Sequence, residues 1–254
     1  MYIQLPDLSS LKRNAFVTLT TPSFAMGAIV LGHTLRVHHG DSFELICLVT
    51  PDVNQTWRRI LKQWWTVVEV HPYKPMKHFR RSWAKLALWN LTNFNKIIYL
   101  DSDMLVLGSI DGLFSYPQLS CVSDPNPPQI CNTGLMVIEP NRVFFSKIDK
   151  LARIDQVRYA IGDQGSINAF FRDFTPLPPA YNAMRVESKS FARLMDTQSA
   201  KVIHFVCKKP WKCGRDQFCG CGHPYLNEQW WYTFDEACTN KTCMESWDEP
   251  KNDK

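Results

Sequence analysis

The chain has 254 residues, of which 45% are hydrophobic and 21% are charged, and its formal net charge is +5. This length and composition fit one large domain or two small ones with a sizeable buried core. The basic residues are scattered, whereas a nucleic-acid-binding surface needs a stripe of Lys and Arg. Two local basic spots, at 78–81 and 207–209, suit a small anionic ligand better. No segment approaches the ~20 apolar residues of a membrane span.

The N-terminus and the cysteines bear on the cellular compartment. Residues 1–14 lack the charged start and apolar stretch of a signal peptide, so we expect a cytosolic or nuclear protein if the chain starts at its native Met. Six of the nine cysteines crowd the last fifth of the chain: Cys207, Cys213, Cys219, Cys221, Cys238 and Cys243. In a cytosolic protein such a cluster is more often reduced thiols or a metal site than disulfides. The spacing contains no C-x2-C pair, so zinc is weakly indicated, and a loop with buried thiols or local disulfides is an equal alternative.

Short apolar runs alternate with segments of helical spacing along most of the chain. We predict strands at 15–21, 43–50, 66–73, 95–103, 119–124 and 133–140. We predict helices at 24–39, 53–65, 83–91 and 164–174. Near-continuous apolar strands separated by helices indicate an α/β fold with a parallel sheet covered on both faces. From about Lys208 onward the chain is predicted to be loop-like and rich in Cys, Gly and Trp.

Two carboxylates, Asp101 and Asp103, come directly after the apolar strand "KIIYL". In open α/β sheets ligands bind outside the carboxyl ends of the strands, where Thr20 and Thr21 also end the first strand. Oxygen ligands on one short turn suit Mg²⁺ or Mn²⁺, which commonly takes one or two carboxylates plus substrate phosphates. On position alone, a solvated turn at the strand exit is an equally good interpretation.

Six motifs occur in the order found in the glycogenin-like branch of retaining glycosyltransferase family 8, which the chain resembles from about Asn14 to Trp211. They are "AFVTLTT" at 15–21, "GAIVLGHTL" at 27–35, "YLDSDMLVLGSIDGLF" at 99–114, "CNTGLMVIEP" at 131–140, "GDQGSINAFF" at 162–171 and "AKVIHFVCKKPW" at 200–211. The resemblance implies a single-domain GT-A fold, with a Rossmann-like nucleotide-binding half and a mixed sheet. It leaves 212–254 as a Cys- and Trp-rich extension. It also implies a UDP-sugar donor and Mn²⁺, with Mg²⁺ as the other candidate.

The resemblance assigns roles to residues that match the family motifs. The metal ligands are Asp101, Asp103 and His204. The nucleotide-binding residues are Leu19, Thr21, Phe24, Ser102 and Lys209, with Phe24 stacked on uracil and Lys209 on the diphosphate. The sugar-binding residues are Lys85, Asp124, Asn132, Gly134, Asp163 and Gln164. From the residues alone, His204 reads as a core histidine, Lys209 as a surface lysine and Asp163 as a helix N-cap.

Asp163 and Gln164 are also the candidate catalytic residues on the back face of the sugar. Charge that develops on the departing β-phosphate would be stabilised by the metal and Lys209. Retention requires the acceptor to arrive on the face that UDP leaves, or an enzyme nucleophile to intervene. We favour the first route, with Gln164 steadying an oxocarbenium-like centre.

The acceptor is expected to differ from that of glycogenin, which glucosylates its own tyrosine. No tyrosine lies between Tyr181 and Tyr225, so priming on the corresponding segment is excluded. A narrower resemblance is to protist α-galactosyltransferases that extend the glycan on Skp1, a ubiquitin-ligase subunit. We therefore expect transfer of galactose, or else glucose, to a glycan on another protein, without membrane or nucleic-acid partners. The sequence leaves a homodimer open.

The expected acceptor site lies between the segment 183–199 and the tail, with the tail aromatics as a platform: Trp211, Phe218, Trp230, Trp231 and Tyr232. Packing of these aromatics back on the core is the alternative.

Three other functions compete with the main interpretation. They are a glycogenin-type glucosyltransferase, a non-catalytic UDP-sugar-binding protein, and a nucleotidyltransferase-like enzyme. The last would need a Gly-rich N-terminal loop, which "TLTTPSFAMG" does not provide.

Overall fold

The computed structural model describes residues 14–71, 82–124, 130–154, 162–185, 189–196, 198–215, 225–239 and 243. Three features singled out in the sequence lie outside these residues: the basic spot at 78–81, the aromatic Phe218, and the cysteines Cys219 and Cys221. Within the described ranges, no helix is both long enough and apolar enough to cross a lipid bilayer.

The described strands form a seven-stranded sheet in the order β3-β2-β1-β4-β7-β6-β8 and a three-stranded sheet in the order β5-β10-β9. The strands β1 to β4 run parallel, whereas β7 runs antiparallel to both β4 and β6. This confirms an α/β fold with a Rossmann-like parallel half and a mixed sheet. The strands are β1 (Asn14–Thr20), β2 (Glu44–Val49), β3 (Thr66–Glu69), β4 (Lys96–Leu100), β5 (Met104–Val106), β6 (Ser120–Ser123), β7 (Cys131–Ile138), β8 (Thr175–Pro176), β9 (Ala183–Met184) and β10 (Val202–His204).

Helices cover the sheets, and two of the four predicted ones are shorter than expected. The α-helices are α1 (Ala25–His39), α2 (Gln55–Leu61), α3 (Arg142–Ile154), α4 (Gly162–Phe170), α5 (Lys189–Asp196), α6 (Pro210–Cys213) and α7 (Tyr225–Ala237). The predicted helix at 83–91 is a 3₁₀ helix, Ser82–Asn90. Further 3₁₀ turns lie at Pro22–Phe24, Asp111–Ser115 and Pro179–Asn182.

The predicted loop after Lys208 is wrong for the described part of the tail, because α6 and α7 lie there. The apolar residues of α7 recur at helical spacing and pack against α1. Trp230 is fully buried and stacks on Phe234 with ring centroids 5.5 Å apart. Trp211 and Trp231 are buried as well, so these three tryptophans belong to the core and cannot form the predicted acceptor platform. Tyr232 is 66% exposed and is left as the accessible aromatic of the described set.

The described cysteines are partly oxidised. Cys121 and Cys131 form a disulfide that joins β6 to β7. Cys213 is disulfide-bonded too, which is the local disulfide that the sequence left as an equal alternative to reduced thiols or a metal site. Cys207, Cys238 and Cys243 carry thiols, so the C-terminal cluster holds both of the states that were left open.

Gly27, in the first turn of α1, lets this helix lie against the turn after β4. A Cβ atom built on Gly27 would come within 2.2 Å of the Ser102 carbonyl oxygen and 2.7 Å of the Trp211 ring. Real Cβ atoms do not approach backbone oxygens so closely, so α1 or the turn would have to move. The absence of a side chain at Gly27 therefore sets how closely α1 approaches the turn that carries Asp101 and Asp103.

We expect Gly27→Ala to destabilise the protein although alanine is the better helix former by about 1 kcal/mol. Overpacking of this kind costs typically about 1–3 kcal/mol, which corresponds to a fall in Tm of several degrees. The matched control is Gly112→Ala, because a Cβ at Gly112 meets nothing within 4 Å. Thermal denaturation of both variants checks this, and an equal or higher Tm for Gly27→Ala than for wild type would contradict it.

Candidate functional site

Asp101 and Asp103 flank Ser102 in the turn between the two sheets. Asp101 follows β4, and its N–H donates to the Gly134 carbonyl of β7 at 2.7 Å. Asp103 precedes β5 of the small sheet, and its side chain is only 8% exposed. The apolar run of β4 therefore ends where the backbone passes from the large sheet to the small one. Asp101 and Asp103 lie at this junction.

His204 reaches this junction from the far end of the sequence. It is the last residue of β10, which pairs antiparallel with β5 so that His204 lies opposite Met104. The next N–H, of Phe205, donates to the Asp103 carbonyl at 3.0 Å. His204 Nε2 lies 3.4 Å from Asp103 Oδ1. Sheet pairing thus accounts for the predicted meeting of the histidine with the acids.

Gly134 of β7 has no side chain, and this leaves room for the imidazole of His204 close to the strand. A Cβ on Gly134 would come within 2.5 Å of His204 Cε1. Gly134, predicted from the resemblance as a sugar-binding position, therefore also determines how closely the His204 ring can lie against β7.

These three side chains fit a small divalent cation. One ligand atom from each of Asp101, Asp103 and His204 lies within 4.8 Å of the others. Ligand atoms of one octahedral Mg²⁺ lie about 3.0 Å apart when adjacent and about 4.2 Å apart when opposite, so the three side chains would have to draw together around an ion. The two carboxylates are ligands that suit Mg²⁺ or Mn²⁺.

Lys85, predicted to bind sugar, is buried between two acids. Its Nζ lies 3.0 Å from Asp101 Oδ1 and 2.8 Å from Asp163 Oδ2, and it donates to the Thr133 carbonyl at 3.3 Å. Burial opposes the charge, but Asp101 and Asp163 outweigh it and raise the pKa of Lys85 above its usual range. The ammonium group therefore stays charged and holds both acids in place.

The two acids of the turn differ in their electrostatics. Burial raises the pKa of Asp101, opposed by Lys85 and reinforced by the nearby Asp103 carboxylate. For Asp103, burial is outweighed by His204 and Lys209, which lower its pKa well below the usual range.

Lys209, predicted to bind the diphosphate, lies on the other side of Asp103. Its Nζ is 2.5 Å from Asp103 Oδ2 and 2.5 Å from the Phe205 carbonyl oxygen. The same Nζ is 5.8 Å from the ring centroid of Phe24, the predicted uracil-stacking residue. The structure therefore brings these two predicted nucleotide residues to one place beside the acids.

The other predicted nucleotide residues line the turn after β1 and the turn after β4. Leu19 is buried near the end of β1, and Thr21 follows that strand, its carbonyl accepting from Phe24 N at 2.9 Å. Trp211 Nε1 donates to the Ser23 carbonyl at 2.8 Å and ties this turn to α6. Ser102 is buried under Gly27.

Hydrogen bonds connect the remaining predicted sugar residues. Asn132 Nδ2 donates to Asp124 Oδ2 at 2.8 Å, and Gln164 Nε2 donates to the same oxygen at 3.1 Å. Gln164 Oε1 accepts from Thr133 N, and Thr133 Oγ1 donates to Asp163 Oδ2 at 3.3 Å. These contacts hold the first turn of α4 against β7, so the candidate catalytic pair lies beside the amide of Asn132.

Two buried residues of the site were missed in the sequence. Tyr99 donates its hydroxyl to Asp101 Oδ1 at 2.6 Å. Asn182 Oδ1 lies 2.9 Å from His204 Nδ1, and its Nδ2 donates to Asn132 Oδ1 at 2.9 Å. The position of Tyr99, two residues before Asp101 on the same strand face, was a usable signal. Asn182 offered none, because it is remote in sequence from every residue that it contacts.

Known proteins share both the sequence and the fold. Human glycogenin-1 is 34% identical over 218 residues, which is 78% of this chain and 62% of that protein. The UDP-glucuronate:xylan alpha-glucuronosyltransferase 1 of Arabidopsis thaliana is 29% identical over 91% of this chain and 38% of its own length. The chain thus spans less than two thirds of either relative.

A solved structure and a family model agree with these matches. The galactosyltransferase LgtC, in complex with donor and acceptor sugar analogs, superposes with a TM-score of 0.71 at 16% identity, over 92% of this chain and 99% of that one. This likeness shows the GT-A fold. The model of glycosyl transferase family 8 matches residues 17–213. The chain therefore belongs to glycosyl transferase family 8.

Proposed function

We propose that the protein transfers a hexose from a UDP-sugar to a glycan acceptor, using a divalent cation held by Asp101, Asp103 and His204. The observation that carries this proposal is the convergence of these three side chains at the junction of the two sheets. Among the described residues, four carboxylates of the site face two lysines, so negative charge is in excess when His204 is neutral. Mn²⁺ is our preferred ion, and it would supply stabilisation of the charge on the leaving diphosphate.

Nucleotide binding is assigned to the residues beside the metal ligands. Phe24 is partly exposed and is assigned to stack on uracil, and Leu19, Thr21 and Ser102 are assigned to the rest of the nucleotide. Lys209 would exchange its contact with Asp103 for one with a diphosphate oxygen. Because Lys209 Nζ is already held near Phe24 and Asp103, it needs only a side-chain rotation to do so.

Sugar binding and the chemical step are assigned to the polar residues on the other side of the acids. Lys85, Asp124, Asn132 and Asp163 offer donors and acceptors for the hexose hydroxyls, and the backbone at Gly134 lies close to them. Gln164 is held by Asp124 and Thr133 and would steady positive charge at the anomeric carbon. The route that we favour retains configuration, giving an α-linkage.

The donor is proposed to be UDP-galactose, with UDP-glucose next, and the acceptor a glycan on a protein, of which Skp1 is the specific candidate. A glycogenin-type glucosyltransferase is the second candidate, and sequence identity to glycogenin-1 favours it. Against it, no tyrosine lies between Tyr181 and Tyr225. A non-catalytic UDP-sugar-binding protein is the third candidate, and the complete metal-ligand set argues against it.

Location and assembly stay predictions. We predicted a cytosolic protein, and the disulfide between Cys121 and Cys131 is a bond more typical of oxidising compartments. A homodimer remains open, and size-exclusion chromatography with light scattering would decide it.

We expect Asp103→Asn to abolish the Mn²⁺ dependence of UDP binding and to reduce hydrolysis of the donor sugar. The loss should exceed the roughly 10–100-fold typical of residues that only support a metal ligand. Calorimetry with UDP, with and without Mn²⁺, measures the first effect, and release of free UDP measures the second. The control is Asp111→Asn, which removes an exposed acid elsewhere. Retention of the Mn²⁺ effect in Asp103→Asn would contradict the metal assignment.

A panel of UDP-sugars with Mn²⁺ should show slow release of UDP from one hexose donor, because water substitutes for the acceptor. Peptide mass spectrometry after the reaction should find no hexose on any tyrosine, including Tyr225 and Tyr232, which are 44% and 66% exposed. A sugar on either tyrosine would return the protein to a glycogenin-type function. Binding of UDP-sugars without any turnover would support the non-catalytic alternative instead.

A further inference from the structure

We propose that Asn182 is a positioning residue that fixes the tautomer of His204, and that it does so because its own amide is oriented by Asn132 and Asp124. This inference rests on the proposed metal site but concerns a residue outside it. Asn182 is 1% exposed and lies at the end of the 3₁₀ turn Pro179–Asn182, directly before β9. Its side chain lies between the metal-ligand side and the sugar side of the site.

The orientation of the Asn132 amide follows from its two unambiguous partners. A carboxylate oxygen can only accept, so the Asn132 group 2.8 Å from Asp124 Oδ2 has to be the NH₂. A backbone N–H can only donate, so the Asn132 group 3.0 Å from Gly134 N has to be the carbonyl oxygen. Flipping the amide would place oxygen against oxygen and NH₂ against N–H, and both hydrogen bonds would be lost.

The orientation of Asn182 follows in turn. Asn132 Oδ1 accepts a second hydrogen bond at 2.9 Å, so the Asn182 group that faces it has to be the NH₂. The remaining Asn182 atom, Oδ1, then faces His204 Nδ1 at 2.9 Å. The fixed roles of Asp124 and of the Gly134 N–H therefore determine the orientation of both amides.

The tautomer of the neutral imidazole is the consequence. Both ring nitrogens face an acceptor, but Asn182 Oδ1 lies 2.9 Å from Nδ1 whereas Asp103 Oδ1 lies 3.4 Å from Nε2. The shorter contact assigns the proton to Nδ1 and leaves Nε2 with its lone pair. Nε2 is the nitrogen that faces Asp103 and the proposed cation. A second partner that fixes the tautomer of a ligating histidine typically contributes about 10–100-fold to metal affinity.

The same chain of amides joins the sugar-binding residues to the metal ligand. Asp124 and Asn132 are proposed to contact the donor hexose, and their hydrogen bonds end at His204 through Asn182. The donor sugar and the cation therefore bind to two ends of one hydrogen-bonded chain, and the arrangement of one end constrains the other.

The first test needs neither metal nor donor. A long-range ¹H–¹⁵N correlation spectrum of the metal-free protein above the titration range of histidine identifies which His204 nitrogen carries the proton. We expect the Nδ1–H form in wild type and a shift toward the Nε2–H form in Asn182→Ala. An Nε2–H form in the wild-type protein would overturn the inference, whatever the outcome for the proposed function.

The second test measures Mn²⁺ affinity by electron paramagnetic resonance of the free ion. Asn182→Ala should weaken binding about 10–100-fold. Asn182→Asp keeps an acceptor for His204 Nδ1 but loses the hydrogen bond to Asn132 Oδ1, so its Mn²⁺ affinity should fall less than that of Asn182→Ala. The stability control is Asn54→Ala, which removes the amide that caps α2 through Trp57 N and should leave Mn²⁺ affinity unchanged.

The outcomes separate the two proposals. No Mn²⁺ binding by wild type would refute the proposed metal site, and the nitrogen spectrum would still decide the tautomer. Normal Mn²⁺ binding by Asn182→Ala would overturn the positioning role alone. Should Asn182→Ala fail to fold, the comparison of Asn182→Asp with wild type and the wild-type spectrum decide the question.

Discussion

A single buried ammonium group, that of Lys85, joins parts of the site that are distant in sequence. It contacts Asp101 after β4, Asp163 in the first turn of α4 and the carbonyl of Thr133 in β7. Removing one partner of a buried ion pair typically costs about 3–5 kcal/mol, because the other charge is left uncompensated. The positions of Asp101 and Asp163 therefore depend on Lys85, and so does the space proposed for a cation and a sugar.

Much of the nucleotide half could be predicted from the sequence, because its strands are continuous apolar runs separated by helical patterns. The parallel order of β1 to β4 and the location of Asp101 and Asp103 at a strand end follow from that rule. The sequence did not show that β7 is antiparallel, since an apolar strand buried on both faces carries no mark of its direction. The strand-like run before His204 pointed to a return to the same sheet edge, but the sequence did not show that this strand, β10, pairs with β5 in a second sheet.

Four of the described α-helices were not predicted: α3, α5, α6 and α7. Two of them, α7 and α3, were missed for different reasons. In α7 the buried tryptophans do recur at helical spacing, but the neighbouring cysteines and glycines suggested a loop. In α3 the signal was present and was not used: Asn141 Oδ1 accepts from Val143 N and Phe144 N as an N-cap, and one-sided apolar spacing follows. Asn182 is a third kind of case. Its role depends on the direction of several hydrogen bonds across the fold, which no local pattern encodes.

The junction between the two sheets has a consequence for local unfolding. Asp101 directly follows a strand of the large sheet, whereas Asp103 directly precedes one strand of the small sheet and His204 is the last residue of another. A cation shared by all three would have to be released before the small sheet could open away from the large one. Opening and release would then be one cooperative event, and slow hydrogen exchange at the β10 amides would report on occupancy of the junction. The fraction of molecules in which the small sheet is paired would then rise with the cation concentration.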